Sequence, residues 1–364
     1  MKICTITCHN ALNYGARLQA YALVSYLRKQ GHDVEVIDYR PDYMTFREKV
    51  WYWPGFSLKK WAKLFLQLQQ RKDTCHRHSC FEDFSKKYIP CTKITYCNIE
   101  DLRQNPPIAD VYIAGSDQIW NTFFRNGMDA AYYLDFGDER TKRISYAASF
   151  ATTVLADGTE SFVKEHLSLF NEISVREESG VHILSSLGYQ GKLVSDPVFL
   201  LSAEEWDDSI ACEDRDEQYV LVYDFMGSAT IRQLAKRLAK LFGCKIYSIG
   251  ARRFGYAHKN FTQSAPQVFV ELIRNARCVL SNSFHGTAFA MIYHRDFFVV
   301  EREDGLNDRM SDLLMRYNLT SRMINAAVSD AELNEKIPYS MVEEILQPQI
   351  RESQKFLTSA LLRT

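Results

Sequence analysis

The run Cys278-Val279-Leu280-Ser281-Asn282-Ser283-Phe284-His285-Gly286-Thr287 joins a short apolar stretch to small hydroxyl residues, a histidine and a glycine. A strand ending in Ser-Asn-Ser and passing straight into a helix presents backbone N–H groups at the helix start. The hydroxyls of Ser281, Ser283 and Thr287 stand near them, which makes a ready anion site. Gly286 removes side-chain bulk where a ligand must approach. A lone His would read as an ordinary helix-start residue. His285, at a strand end among small hydroxyl and Gly positions, reads as a functional residue.

Such residues need strands and helices to hold them. Lys2–Cys8 reads as a strand, His9–Gly15 as a turn, Ala16–Gln30 as a helix stopped by Gly31, and Asp33–Asp38 as the next strand. That βαβ opening implies a parallel sheet with right-handed crossovers. Strands are expected at Asp110–Gly115, Arg143–Tyr146, Glu172–Val175 and Lys192–Ser195, with a helix over Glu177–Leu187, and Asp196-Pro197 ends the unit. The acidic stretch 202–216 reads as an irregular domain boundary. A second series follows: strands Tyr219–Tyr223, Lys245–Ile249, Cys278–Ser281 and Phe297–Val300, alternating with helices Thr230–Phe242, Pro266–Asn275 and His285–Tyr293. From Met341 the tail reads as helical, with Pro348 as a kink. The expected architecture is α/β: two doubly wound Rossmann-like domains, 1–200 and 217–337, facing a cleft in a GT-B-like layout, with a helical tail at 338–364. Ligands in such sheets sit beyond the carboxyl ends of the strands.

Composition agrees with that class. The chain has 364 residues, enough for two domains at about 150 residues each. It is 46% hydrophobic and 24% charged, an ordinary globular balance. A net charge of −1 removes the usual footprint of a nucleic-acid binder. Neither the P-loop nor the Gly-x-Gly-x-x-Gly pattern occurs, which argues against nucleotide hydrolysis and NAD chemistry. No apolar run reaches the ~20 residues of a membrane span. The start, Met1 to His9, lacks the apolar core of a signal peptide, so a cytoplasmic protein is expected. Nine Cys without a paired framework are expected to stay reduced. The cluster Cys75-His76-Arg77-His78-Ser79-Cys80, with Cys91 and Cys97, lacks the close-pair spacing of zinc sites, and no metal is expected.

The segment Arg47–Lys72 holds seven basic residues against one acid, and three of the five Trp. Trp51, Trp53, Lys59, Lys60, Trp61 and Lys63 there could rest on an anionic membrane surface. A helix packed on the first domain with its Lys face in water would show the same stripe.

Six segments, in order, resemble the polysaccharide pyruvyltransferase family. They are Asn13-Tyr14-Gly15-Ala16-Arg17-Leu18-Gln19-Ala20-Tyr21-Ala22-Leu23, Gly31-His32-Asp33-Val34-Glu35-Val36-Ile37-Asp38-Tyr39, Ala114-Gly115-Ser116-Asp117-Gln118-Ile119-Trp120-Asn121, Ser174-Val175-Arg176-Glu177, Ser195-Asp196-Pro197-Val198, and Ser281 to Gly286. The resemblance implies transfer of an enolpyruvyl unit from phosphoenolpyruvate, as co-substrate and without a cofactor, onto two hydroxyls of one sugar. The product would be a pyruvate ketal, made in capsule or exopolysaccharide assembly on an acceptor carried by a polyprenyl diphosphate. That acceptor fits an enzyme peripheral on the inner face of the cytoplasmic membrane.

The resemblance also implies roles. His285 would protonate the methylene carbon of the donor as general acid. Asp117, which follows a strand end on the cleft side by the switch-point rule and not by the resemblance, would take an acceptor hydroxyl's proton. Arg176 would bind the donor, with Ser281, Asn282, Ser283, Gly286 and Thr287 around it. Some relatives carry an Arg two residues before the His; Ser283 stands there in this chain, and Arg252, Arg253 and Lys259 could supply the counter-charge. Asn13, Tyr14, Gly15, Gln118, Trp120 and Asn121 would face the acceptor, with Trp120 stacking on a sugar. Read from the residues alone, Trp120 could equally be core and Asp117 a helix cap. A glycosyltransferase using a nucleotide sugar, or a glycan-binding module without activity, would use the same scaffold.

Overall fold

The computed structural model describes residues 1–44, 58–210, 213–301 and 308–362, with side chains described outside 58–70 and 308. Twelve strands are described: β1 (Lys2–Ile6), β2 (Asp33–Tyr39), β3 (Cys91–Tyr96), β4 (Val111–Ala114), β5 (Lys142–Ser145), β6 (Ser174–Val175), β7 (Lys192–Leu193), β8 (Tyr219–Tyr223), β9 (Lys245–Ile249), β10 (Lys259–Phe261), β11 (Cys278–Ser281) and β12 (Phe297–Val299). Five form a parallel sheet in the order β3-β2-β1-β4-β5, and five more repeat that order as β10-β9-β8-β11-β12. In the first, Ile3 lies opposite Val34 and Val111; in the second, Leu221 lies opposite Val279 and Tyr247. The central strands are buried on both faces, as helix-covered parallel strands must be, and β8 is buried at all five positions. The pair β6-β7 continues the first sheet through bridges from Ile144 to Glu172 and from Ala148 to Val175.

The helices that carry the sheets are α1 (Tyr14–Lys29), α2 (Leu58–Tyr88), α3 (Ile99–Gln104), α4 (Glu160–Leu167), α5 (Glu178–Ser186), α6 (Ala203–Ser209), α7 (Ala229–Phe242), α8 (Pro266–Arg274), α9 (Phe284–Ile292), α10 (Asp308–Arg316), α11 (Asp330–Asn334) and α12 (Tyr339–Leu362). Helix α12 contains Pro348 and returns to the first half, where the Ser353 hydroxyl accepts from Ser195 N at 2.8 Å. No described helix is long and apolar enough to cross a membrane.

The sequence reading left β3, β10, α6 and the helices α3, α4, α10 and α11 unassigned. β3 and β10 carry Thr92, Lys93 and Lys259, Asn260, and half-exposed edges need no apolar run, so neither stood out. The acidic stretch contains α6 because Ser202 and Glu205 form a reciprocal capping box and Trp206 is buried, its indole N–H donating to Val198 O. Trp51 and Trp53 lie outside the described residues, as do the side chains of Lys59, Lys60, Trp61 and Lys63. Cys75 and Cys80 stand on α2, with Cys75 exposed and Cys80 half-buried.

The two halves meet along an aromatic seam. Tyr14, at the start of α1, stacks on Phe269 of α8 at 4.9 Å, meets Tyr223 of β8 edge-on at 5.8 Å, and donates to Ser264 O. Asp73 of α2 is buried and accepts from Thr262, Gln263 and Arg253, three donors of the second half. This seam fixes the distance between the two sets of strand ends.

Candidate active site

The strand ends of both sheets open on one pocket, lined by Asn13, Asp117, Gln118, Phe225, Asn282, Ser283, Phe284, His285, Val299, Val300, Arg309 and Met310. Asn13 follows β1, Asp117 and Gln118 follow β4, Phe225 follows β8, and Asn282 to His285 follow β11. In both sheets β1 with β4, and β8 with β11, flank the place where strand order reverses, which is where ligands bind in such folds.

The loop after β11 is built by its own side chains. Ser281 Oγ donates to Tyr223 O at 2.9 Å and accepts from Ser283 N at 3.0 Å. Asn282 donates to Asp224 Oδ1 and accepts from Phe225 N, locking the β8 and β11 loops together. Ser283 caps α9 by accepting from Gly286 N, and Thr287 Oγ1 donates to Ser283 O. The N–H groups of Phe284 and His285, in the first turn of α9, have no partner within the helix. They are therefore the backbone donors that this helix end could offer to an anion.

His285 is held from both sides. A β-carbon built on Gly15 would lie 2.0 Å from His285 Nδ1, so the ring lies against the backbone of α1 and only glycine fits there. His285 Nε2 faces Asp196 Oδ2 at 3.6 Å; that nitrogen is buried and makes no hydrogen bond. Burial alone would raise the Asp196 carboxyl, but His285 and Arg176 hold it below the ordinary carboxylate range.

Arg176, at the end of β6, is the hub beneath the pocket. Its guanidinium pairs with Asp196 at 2.6 Å, Asp117 at 3.3 Å and Glu177 at 3.7 Å, and lies over the Phe284 ring at 4.9 Å. Burial works against its charge, yet these three carboxylates keep it more firmly protonated than a free Arg. Glu177 accepts from Phe150 N and Ala151 N through Oε1, and burial raises its carboxyl above the ordinary range. Asp117 has φ +73, a left-handed conformation uncommon for a non-glycine residue, and its Oδ1 accepts from Gln118 N at 2.9 Å.

Several sequence expectations are corrected here. Trp120 is wholly buried, stacked on Tyr133 and donating to Tyr132 O, so it is core and not a sugar platform. Asn121 is buried and shapes its own loop by accepting from Phe123 N. Tyr14 belongs to the seam, and Gly15 acts through His285 instead of facing an open acceptor site. Ser281, Gly286 and Thr287 are buried behind the pocket wall; a β-carbon on Gly286 would meet Ser281 Oγ at 2.8 Å. Arg176 does not line this pocket; paired with three acids, it lines a smaller adjoining cavity with Phe284 and Arg309. Arg253 is drawn away to Asp73 at 2.7 Å, and Arg252 and Lys259 are exposed residues outside the pocket lining.

The structure adds three residues the sequence reading did not assign to the site: Asp196, Glu177 and Arg309. Asp196-Pro197 read as a strand terminator, and Asp196 does cap the following turn by accepting from Val198 N, so one signal hid the other role. Arg309 sits in a helix whose pattern reads as an ordinary amphipathic surface, and nothing in its neighbours marks it.

The family model for "Polysaccharide pyruvyl transferase" matches residues 13–304. The chain belongs to the polysaccharide pyruvyl transferase family. Within this family match lie the pocket's β1, β4, β8 and β11 loops; Arg309 and Met310 of α10 fall beyond it. Comparison with curated protein sequences found no match. Among solved structures, the chain is similar to UGT89C1 of Arabidopsis thaliana at 10% identity and a TM-score of 0.51, covering 99% of this chain and 98% of that one. It is also similar to S. aureus MnaA in a co-structure with UDP, at 11% identity and a TM-score of 0.52, over 98% and 94% of the two chains. At these identities the likeness concerns the fold: the pyruvyl transferase chain has the GT-B-like arrangement of two facing α/β domains.

Proposed function

We propose that this protein transfers pyruvyl from phosphoenolpyruvate onto two hydroxyls of one sugar, as a pyruvate ketal, in the assembly of a capsule or exopolysaccharide. The observation that carries the reading is His285: an imidazole pinned between Gly15 and Asp196 at the pocket where the first turn of α9 opens. The donor's anionic groups sit at that first turn. His285 gives a proton to the donor's methylene carbon, which becomes a methyl group, and the adjacent carbon becomes oxocarbenium-like. One sugar hydroxyl adds to that carbon, the bond to the phosphate oxygen breaks, and the second hydroxyl closes the ring. Of the two hydroxyl protons released, one restores His285 and the other leaves with phosphate. Asp117, on the opposite wall, takes the second of these protons from the hydroxyl and passes it to the departing phosphate. Asp196 orients the imidazole and faces the charge it carries when protonated.

The sugar is carried on a polyprenyl diphosphate, and the basic Arg47–Lys72 segment brings the enzyme to the membrane. The test is to incubate the full chain with phosphoenolpyruvate and a panel of lipid-linked sugars, following phosphate release and the ketal by mass. Phosphate release that depends on acceptor, with a matching ketal product, is expected. Turnover of a nucleotide sugar and none of phosphoenolpyruvate would overturn the reading in favour of a glycosyltransferase. Pelleting with anionic vesicles at low salt, lost on Lys59→Glu, Lys60→Glu and Lys63→Glu together, is expected for the membrane contact; equal pelleting of both proteins would refute it.

A further inference from the structure

We propose that Phe123 and Phe124, on the loop after β4, are the platform on which the acceptor's sugar ring rests while its hydroxyls enter the pocket. The inference rests on the ketal reading above and deepens it by naming residues that select the acceptor. Aromatic side chains elsewhere in this protein are covered. Among the residues whose side chains are described, Phe123 and Phe124 are the only exposed Phe, Tyr or Trp, at 58% and 49%. Single apolar residues scattered on a surface need no explanation. These two are adjacent, and they sit on the loop that carries Asp117 and Gln118 into the pocket.

The loop is firmly held on both sides of the pair. Ile119 to Thr122 are buried before it, and Gly127 is buried after it. Phe124 N donates to Asn121 O at 3.0 Å and Gly127 N to Phe124 O at 3.1 Å, while a β-carbon on Gly127 would meet Asn121 O at 2.2 Å. Asn126 Nδ2 donates to Gln118 O, which ties the turn back to the pocket lining. Asp129 accepts from the hydroxyls of Tyr39, at the end of β2, and of Tyr43. The loop therefore lies over the carboxyl ends of β2 and β4, on the ligand side of the sheet. Two rings on such a fixed backbone have little freedom left to lose when a ligand stacks on them.

The pocket sets what they can hold. Its volume is about 60 Å³, against roughly 300–1,000 Å³ for cavities that enclose a whole drug-sized ligand. It can take the reacting end of a small donor and not a sugar as well, so the acceptor's ring must lie outside it. A pyranose suits that place: its C–H face is apolar and stacks on an aromatic ring, while hydroxyls at its edge stay free to reach Asp117.

The experiment compares the wild-type chain with Phe123→Ala, Phe124→Ala, the double Ala variant and a double variant carrying Phe123→Tyr and Phe124→Tyr. Saturation-transfer NMR measures binding of water-soluble methyl glycosides of the common hexoses, N-acetylhexosamines and hexuronic acids, and calorimetry measures phosphoenolpyruvate. Both rings are exposed, so every variant should keep its unliganded melting temperature. Each single Ala variant is expected to bind the preferred glycoside roughly 3- to 10-fold more weakly, the scale of one aromatic stacking contact, with phosphoenolpyruvate affinity unchanged. The double Tyr variant keeps both rings and should bind as the wild type does. Unchanged glycoside binding in the double Ala variant would overturn the platform and leave the ketal reading intact, and so would a wild-type chain that binds none of the glycosides. Loss of pelleting with anionic vesicles in the double Ala variant, with glycoside binding unchanged, would give the rings to a membrane contact and equally overturn it. Glycoside binding through these rings in a chain that turns over no phosphoenolpyruvate would overturn the ketal reading alone.

Discussion

Strands β4 and β11 hold the same place in two sheets of the same order, each beside the point where strand order reverses. Beyond β11 the chain turns within two residues into α9, so a helix N-terminus and His285 arrive at the pocket together. Beyond β4 no helix begins at once. The chain passes through Asp117 in the left-handed region and then into two short 3-10 turns, Arg125–Met128 and Ala130–Tyr133. One loop therefore presents backbone donors and an imidazole, and the other presents a carboxylate backed by Arg176, Asp196 and Glu177. Topology makes two equivalent openings, and the residues just past each strand decide which sign of charge each opening can serve.

The division is broken most sharply by removing the proton carrier on the β11 side. His285→Gln should lower turnover by about 100-fold or more, the usual scale for a general acid, with a much smaller change in phosphoenolpyruvate affinity. Steady-state kinetics and calorimetry on the folded variant measure the two effects separately. Turnover near that of wild type would remove His285 from the reaction.

A change from the opposite half tests whether the two openings act as one site. Gly15→Ala places a methyl group where the imidazole now lies, so the ring or α1 must shift. A shift of about 1 Å can cost up to ~100-fold in rate, and a loss of roughly 10- to 100-fold is expected. It should be accompanied by a lower melting temperature, since the contact crosses the seam. A folded Gly15→Ala variant with unaltered rate would show that the ring is free to move without consequence.

The smallest expected effect concerns the acid side. Asp196 is held below the ordinary carboxylate range in the folded chain. Its contribution to stability is therefore present above the unfolded value, near pH 4, and is lost as pH falls toward the folded one. Glu177 is shifted the other way, binds its proton earlier in the folded chain, and does not add to that loss. Asp196→Asn should flatten the fall in unfolding free energy below pH 5, by at most ~1.4 kcal/mol per pH unit. Denaturant unfolding between pH 3 and 7 measures the slope, and identical slopes for variant and wild type would show that Asp196 does not titrate with folding.

Much of the frame was legible because its signals are local. Tyr219–Tyr223, Lys245–Ile249 and Cys278–Ser281 are strands at the bounds their apolar runs suggest, since β-branched and aromatic residues buried on both faces leave little choice. The start of the helix was legible at His285, one residue from where α9 begins, and the structure adds that the Ser283 hydroxyl caps it through a bond spanning three residues. The edge strands β3 and β10 were not visible, since their pairing is decided by a neighbour's backbone and not by their own polarity.

By itself, then, the sequence determined two α/β units, the switch-point loops and the candidacy of His285, all of which depend on periodicity and on residues close in the chain. Tertiary structure decided what those residues face. Trp120 and Asp117 are three positions apart on one loop, yet the first is sealed in an aromatic core and the second reaches the pocket. Arg176 and Arg309 are both buried arginines, yet the first is set among Asp117, Glu177 and Asp196 away from the pocket lining and the second lines the pocket. Solvation and charge pairing at such sites include neighbours 20 to 250 residues distant in sequence, as with Asp196 beside Arg176 or Tyr14 beside Ser264. Local propensity carries no record of that sum; only the packed chain brings those groups within a few ångströms, where desolvation makes their partners decisive.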